Sequence, residues 1–136
     1  SPMSMRVAVE QFTTPDPITA TVTTMVDDLW RLMEQHGVRH LPITCDGEVV
    51  GVVSDRDVRL VLGLSAAEKM QVQAADVMSP EPVVVKTGTP LDDVADLMAQ
   101  KKVGSVIVID DEGNLVGIFT ATDALNALVA LVRKGE

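Results

Sequence analysis

The chain has 136 residues, a formal net charge of −9 and a sequence pI near 4.5. This length is typical of one domain with a substantial core, and because hydrophobic residues make up 46% but aromatic residues only 2%, that core must be aliphatic. The acidic balance argues against a polymeric nucleic-acid partner, which requires basic surface to release phosphate counterions.

A local basic pocket is still compatible with this composition, with Arg39, His40, Arg56 and Arg59 as candidates. The single cysteine, Cys45, excludes an intrachain disulfide and is compatible with a reducing compartment. No stretch resembles a signal peptide, and no apolar run approaches the ~20 residues of a spanning helix. We therefore expect a cytoplasmic protein without membrane insertion. The start Ser1-Pro2-Met3 resembles a vector-derived remnant and is left out of the fold prediction.

Two halves of the chain repeat each other. Pro15-Asp16-Pro17 recurs 65 residues later as Pro80-Glu81-Pro82, and Asp57 recurs 66 residues later as Asp123. Several matches in register at nearly one shift indicate a tandem duplication. The predicted organisation is a first repeat over 12–64, a linker over 65–75 and a second repeat over 76–132.

The first half predicts a short strand, a helix, a hairpin and a second helix. A β-branched run at 18–22 precedes a helical apolar stripe that begins near Thr24 and ends at Gly37. Strands over 39–44 and 49–54 flank Asp46-Gly47, a strong hairpin signal.

The second half has the same order. After a strand over 83–86, Thr89 is predicted as an N-cap, with Pro90 at the first helical position. Strands over 105–109 and 115–120 follow, and the closing helix over 124–132 is more apolar than one buried stripe requires, which suggests a dimer interface. The fold class is α/β (α+β): two β-α-β-β-α repeats packed as one pseudo-two-fold symmetric module.

One heptapeptide pattern occurs in both repeats. Gly51–Asp57 and Gly117–Asp123 each contain a glycine, two apolar residues, a hydroxyl residue and, three residues on, an aspartate. The hydroxyl and the aspartate predict a helix capping box. Free N–H groups at such a helix start could also bind an anion, so capping alone and capping with ligand contact both stay open.

These residues resemble the CBS domain family, whose tandem pairs are called Bateman modules. The resemblance rests on Met78–Pro82 with its copy Phe12–Pro17, on Val38–Pro42, and on the two heptapeptides. It implies a regulatory module, without a catalytic cofactor, that binds an adenosine ligand such as AMP, ADP or ATP in two clefts between the repeats. It also implies a homodimer.

Carried over by position, the resemblance implies two nucleotide sites. The first would comprise Val52, Ser54, Arg56, Asp57, Arg39, His40, Val84, Val103 and Gly104. The second would comprise Thr19, Val38, Arg39, Ile118, Thr120, Thr122 and Asp123. The Asp57 site has Arg56 and the neighbouring Arg39-His40, where the Asp123 site has Thr122 and Gly104-Ser105 at the matching positions. Because guanidinium groups favour phosphate, we expect phosphorylated nucleotides to prefer the Asp57 site.

Other readings compete with these. His40 could be a ligand residue or a partly buried histidine, and Lys101-Lys102 suits a helix C-terminus better than a site. No metal-ligand spacing is present, and the sequence lacks a P-loop, a G-x-G-x-x-G motif and a Ser/His/Asp set, so an enzyme is not expected. The alternative function is a ligand-free scaffold for dimerisation or protein interaction.

Overall fold

The structure is a computed structural model that describes residues 6–135, so the Ser1–Met3 remnant lies outside the described residues. Over these residues the chain has a mixed α+β fold with two four-stranded sheets, which confirms the predicted fold class. Within the described range no helix is both long and apolar enough to cross a bilayer.

Both halves contain the predicted β-α-β-β-α order, to which the structure adds a two-residue strand in each half and two four-residue helices between the halves. A 3-10 turn at Val9–Gln11 comes first. The strands and helices are β1 (Thr14–Pro15), β2 (Ala20–Thr21), α1 (Val26–His36), β3 (His40–Cys45), β4 (Glu48–Ser54), α2 (Asp55–Leu62), α3 (Ala66–Lys69), α4 (Ala74–Val77), β5 (Ser79–Pro80), β6 (Val84–Lys86), α5 (Leu91–Lys101), β7 (Ser105–Ile109), β8 (Leu115–Thr120) and α6 (Ala121–Lys134).

The chain divides into two compact units. One runs from Pro17 to Pro82 and contains a sheet in the order β2-β3-β4-β5. The other joins the residues up to Asp16 to those from Val83 onward, with a sheet in the order β1-β8-β7-β6. In each sheet one edge strand pairs in parallel with its neighbour (β2 with β3, β6 with β7), and the other pairings are antiparallel.

Each unit has its own aliphatic core. In the first, Leu29, Leu41 and Ile43 are fully buried. In the second, Ile107 and Phe119 are fully buried, and Phe119 is the largest side chain in that state. As the composition requires, both cores consist mainly of aliphatic side chains, which come from the sheets and from one face of the long helices.

Local signals predicted the turns correctly. Asp46 and Gly47 both have positive φ (51° and 83°) and separate the paired residues Cys45 and Glu48, so they form the two-residue hairpin loop expected of Asp-Gly. Gly37 ends α1 in the left-handed conformation, with φ 63°.

The predicted N-cap at Thr89 is wrong. The hydroxyl of Thr89 donates to the Lys86 carbonyl at 2.6 Å, and Pro90, with extended backbone, occupies the N-cap position. The first helical amide, that of Leu91, instead donates to the carbonyl of Val7 at 2.7 Å. A distant segment therefore satisfies the amide that a local side chain was expected to serve.

The same arrangement occurs in the other unit, so equivalent segments are exchanged. The Val26 amide at the start of α1 donates to the Val72 carbonyl at 3.1 Å, and Val72 lies at the sequence position equivalent to Val7. The segment at the start of each predicted repeat, with the residues just before it, thus packs on the body of the other repeat: β1 pairs with β8, and β5 pairs with β4. The limits of the two compact units therefore differ from the limits predicted for the two sequence repeats. The repeat limits themselves stay a prediction.

The repeated glycine has a steric reason. A Cβ at Gly117 would lie 2.3 Å from the Thr14 carbonyl oxygen, and one at Gly51 would lie 2.9 Å from the Ser79 carbonyl oxygen. Both clashes are with the exchanged strand. Glycine is required here because two backbones approach each other too closely for any side chain.

We predict that Gly117→Ala lowers the free energy of unfolding by about 1–3 kcal/mol, because the added methyl meets fixed backbone. Gly51→Ala should cost less, since part of its clash is with the flexible side chain of Met78. Urea denaturation followed by circular dichroism measures both.

The matched control is Gly63→Ala, whose Cβ meets nothing within 4 Å and whose φ is −78°. This variant should be neutral or slightly more stable. A loss of stability at Gly63 as large as that at Gly117 would contradict the steric explanation.

Candidate functional site

The first candidate site is the junction at which β4 becomes α2. The Asp57 carboxylate accepts from the Ser54 amide at 2.9 Å, and the Asp57 amide donates to the Ser54 hydroxyl at 3.2 Å. This is the predicted capping box, and both residues are half-buried. The box fixes an aspartate at the start of a helix directly after a strand.

Two further residues of the predicted set lie beside this junction. His40 begins β3 and pairs with Ser54 across the sheet. The Arg39 carbonyl accepts from the Asp55 amide at 2.8 Å, which holds the start of β3 against the start of α2. We refer to Arg39, His40, Ser54, Arg56 and Asp57 as the Asp57 cluster.

Amides at the start of α2 are already satisfied, which corrects the expectation of free N–H groups. The Asp55 amide donates to Arg39, the Arg56 amide to the Asp55 carboxylate at 2.9 Å, and the Asp57 amide to Ser54. Positive charge for an anion must therefore come from side chains and the helix dipole. The exposed Arg39 and Arg56 can supply it.

His40 is half-buried, and burial lowers the pKa of its imidazole below the ordinary value of 6.5. The carboxylates of Asp55 and Asp57 act in the opposite direction, and Arg39 lowers the pKa further. In the absence of a ligand His40 is therefore mostly neutral at pH 7.

Arg59, a fourth candidate for a basic pocket, has other partners. Its guanidinium lies 3.6 Å from the Asp55 carboxylate and 5.8 Å from the centroid of the Trp30 ring. These contacts explain Arg59 as a residue of the α1–α2 surface and leave Arg39, His40 and Arg56 as the basic side chains of the cluster.

The second candidate site is the junction of β8 and α6. The Asp123 carboxylate accepts from the Thr120 amide at 2.9 Å, and the Asp123 amide donates to the Thr120 hydroxyl at 3.3 Å, which again is the predicted capping box. Ser105 pairs with Thr120, and the Gly104 carbonyl accepts from the Ala121 amide at 3.0 Å. Gly104 and Ser105 thus occupy the positions that Arg39 and His40 occupy at the first junction.

Thr14 is a residue of this site that sequence reasoning missed. Its hydroxyl lies 3.2 and 3.3 Å from the two Asp123 carboxylate oxygens. The equivalent residue of the other unit, Ser79, makes no hydrogen bond to Asp57 within the described part of the chain. The signal available in the sequence is a hydroxyl residue directly before each repeated Pro-x-Pro, Thr14 in one half and Ser79 in the other.

The remaining predicted residues are distributed over both compact units. Val52 and Ile118 are buried in the middle of β4 and β8. The exposed Arg56 and Thr122 lie in the first turns of α2 and α6. Two groups of predicted residues belong to a different compact unit from the aspartate with which each was grouped, and their part in the sites stays a prediction. These are Val84, Val103 and Gly104, predicted for the Asp57 site, and Thr19, Val38 and Arg39, predicted for the Asp123 site.

A separate apolar groove of about 380 Å³ lies between α5 and α6. Leu91, Ala95 and Leu131 are among the residues that line it, and none of the predicted nucleotide-binding residues does so. Leu128 also lines the groove, and on the exposed face of α6 Leu125 and Leu128 are 62% and 58% exposed. Among the described residues no group of three or more His, Cys, Asp and Glu side chains could hold a metal ion.

Comparison with known proteins identifies the family. The CBS domain profile matches twice, at residues 9–63 and 74–130. The chain belongs to the CBS domain family. The crystal structure of the CBS protein CBSX2 in complex with AMP is 32% identical, with a TM-score of 0.77, and the match covers 91% of this chain and 97% of that one.

Sequence relatives in the CBS family include both small proteins and parts of large ones. A CBS domain-containing protein of Dictyostelium discoideum is 27% identical over 94% of this chain and 95% of its own length. An inosine-5′-monophosphate dehydrogenase of Korarchaeum cryptofilum is 31% identical over 84% of this chain, but the chain spans only 23% of that enzyme. The dehydrogenase match is thus confined to a minor part of the enzyme.

We predict that the ligand-free protein loses stability, relative to His40→Gln, as the pH falls from about 8 to about 5.5. Burial depresses the folded-state pKa of His40, so below the unfolded value of 6.5 the unfolded chain binds the proton more readily. Urea denaturation at a series of pH values measures the difference. If the free energy of unfolding depends on pH in the same way in the wild type and in His40→Gln, the pKa of His40 is not lowered by burial.

Proposed function

We propose that this CBS pair is a non-enzymatic regulatory module that binds adenine nucleotides at the Asp57 and Asp123 junctions and transmits occupancy through a homodimer. The observation that carries the proposal is the duplicated junction, in which a strand ends in a capped helix bearing an aspartate. Support comes from CBSX2, which was crystallised with AMP and is 32% identical. The single cysteine of the present chain, which excludes an intrachain disulfide, supports a cytoplasmic location as part of this proposal.

The junctions offer chemistry that suits a nucleotide. Each aspartate uses its carboxylate for capping but has further lone pairs, so it can accept hydrogen bonds from a ribose diol. The helix dipole favours phosphate near the same point. Valine and isoleucine side chains on β4 and β8 supply apolar surface for a purine. No step of this chemistry requires a catalytic cofactor or a metal.

The two sites should differ in ligand preference. The Asp57 cluster contains Arg39 and Arg56, whereas the Asp123 junction has Gly104 and Thr122 at the equivalent positions. Two permanently charged guanidinium groups favour phosphate over hydroxyl. AMP, ADP and ATP are therefore proposed to bind first at Asp57, and an unphosphorylated adenosine ligand has no such preference.

Asp57→Ala should weaken AMP binding by about tenfold or more, and Asp123→Ala should weaken it less. The reason is the loss of a charged acceptor for the ribose at the preferred site. Isothermal titration calorimetry with AMP, ADP and ATP measures the affinities.

A matched control separates ligand contact from helix capping. Asp76→Ala removes the N3 aspartate of another capping box, in which the Gln73 amide donates to Asp76 at 2.9 Å, but has no proposed ligand role. Its AMP affinity should equal that of the wild type. Equal losses in Asp57→Ala and Asp123→Ala would contradict the proposed inequality of the sites.

The competing function is a ligand-free scaffold, in which the aspartates serve only as caps. A ligand that binds only the folded state raises the melting temperature. The sensor therefore predicts a rise with adenosine nucleotides but not with guanosine or cytidine nucleotides. Absence of any response at millimolar concentration across the adenosine panel would favour the scaffold.

For the homodimer, the proposed interface is the exposed face of α6 with the adjoining groove. Of the 14 residues of α6, four with large apolar side chains are exposed and thus do not contribute to the core of their own unit. These are Leu125, Leu128, Val129 and Val132. A second copy of the chain would bury them in an isologous contact, as the CBS resemblance implies.

Leu128→Glu is expected to convert the dimer to a monomer, because an unpaired charge in an apolar interface is costly. Size-exclusion chromatography with light scattering measures the mass. Met70→Glu, which places the same charge on an apolar side chain that is 75% exposed outside α6, should leave the mass unchanged. A monomeric wild type at every accessible concentration would refute this part of the proposal.

A further inference from the structure

Besides the helix dipole, the positive charges available to an anion at the Asp57 cluster belong to side chains, because the first amides of α2 already have partners within the protein. Arg39 and Arg56 carry permanent charge. His40 is the titratable basic residue of the cluster, and it begins β3 directly opposite Ser54. Its protonation state therefore changes the charge presented at the helix start.

Three charged groups act on the imidazole of His40. Two are the carboxylates of Asp55 and Asp57 on α2, and the third is Arg39, the residue directly before β3. The facing residues of β4 are Val53 and Ser54, which do not titrate in this range. In the ligand-free state burial outweighs the two carboxylates, and the pKa of the imidazole is lowered.

We propose that His40 takes up a proton when a phosphorylated adenosine ligand binds at the Asp57 cluster, so that the affinity for such ligands rises as the pH falls. This inference rests on the proposed nucleotide-binding function. It adds a regulation to one of the two sites: the site reports nucleotide and acidity together.

The sign follows from linkage. A phosphate beside the imidazole favours the cationic form, so the ligand-bound pKa lies above the ligand-free pKa, which is below 6.5. Affinity therefore increases as the pH falls through the bound value and levels off below the free value. One unit of separation corresponds to a tenfold change in affinity.

The second site lacks this property. Ser105 occupies the position of His40 there, opposite Thr120, and a serine does not titrate. Proton linkage should thus be confined to the Asp57 cluster. The difference between the sites provides its own control within one chain.

The test is calorimetric titration of the Asp123→Ala protein with AMP from about pH 8 to about pH 6, repeated in two buffers of different ionisation enthalpy to count protons. We expect AMP to bind about three- to tenfold more tightly at the lower pH, relative to the same protein carrying His40→Gln. Because AMP itself titrates in this range, only the difference between the two proteins is informative. Adenosine, which has no phosphate, should show no tightening.

A second variant tests whether a histidine at the equivalent position is sufficient for proton uptake. In the Asp57→Ala background, Ser105→His should introduce proton uptake on AMP binding at the Asp123 junction. If His40→Gln shows the same pH dependence and proton uptake as its parent, the inference is wrong while the nucleotide site stands. If neither parent nor variant binds AMP at any pH but both are folded by circular dichroism, the proposed function itself fails.

Discussion

The close approach of an exchanged strand to a glycine is the constraint on which both halves of this molecule depend. At Gly117 the backbone of β1 comes so near that a Cβ would lie 2.3 Å from the Thr14 carbonyl oxygen, and Gly51 is approached in the same way by β5. Without a side chain at these positions, β4 and β8 can each accept an edge strand from a distant part of the chain. The same approach brings Thr14 within hydrogen-bond distance of Asp123. One steric requirement thus links the sheet, the helix cap and the candidate site.

The exchange of segments also explains how the helices begin. The first amides of α1 and α5 have no side-chain cap, yet each donates to a carbonyl of the incoming segment, Val72 for α1 and Val7 for α5. Without these partners the amides at the helix start would have to be hydrogen-bonded by water. A backbone carbonyl satisfies them and also fixes the position of the incoming segment against the helix start. The repeat seen in the sequence is therefore not the unit that closes in space. Each compact unit is completed by a segment that belongs, by sequence, to the repeat of the other.

Sequence alone predicted what depends on near neighbours. The capping boxes at Ser54 and Thr120, the Asp46-Gly47 hairpin and the left-handed Gly37 all follow from residues within a few positions of each other. It failed where a distant backbone satisfies a local need. Thr89 carries a good N-cap side chain, but the amide it would serve is taken by Val7, more than eighty residues earlier in the chain. The expectation of free amides at α2 failed in part for the same reason, because the Arg39 carbonyl binds the first of them, whereas the local side chains of Asp55 and Ser54 bind the next two.

The two junctions share the backbone contacts that determine their fold, and they differ in the side chains that would determine their ligand preference. Both junctions have the same strand pairing and the same capping box, and in both the first helical amide donates to the carbonyl of the residue just before the neighbouring strand. Where they differ is in positions that the fold leaves unconstrained, since Gly104 and Ser105 stand where the other junction has Arg39 and His40. Exposed or half-buried side chains there change the local charge without disturbing a core. A duplicated chain of this kind can therefore acquire two different ligand preferences at little cost in stability, because the sites differ in their side chains, whereas backbone groups and the shared capping boxes hold them in place.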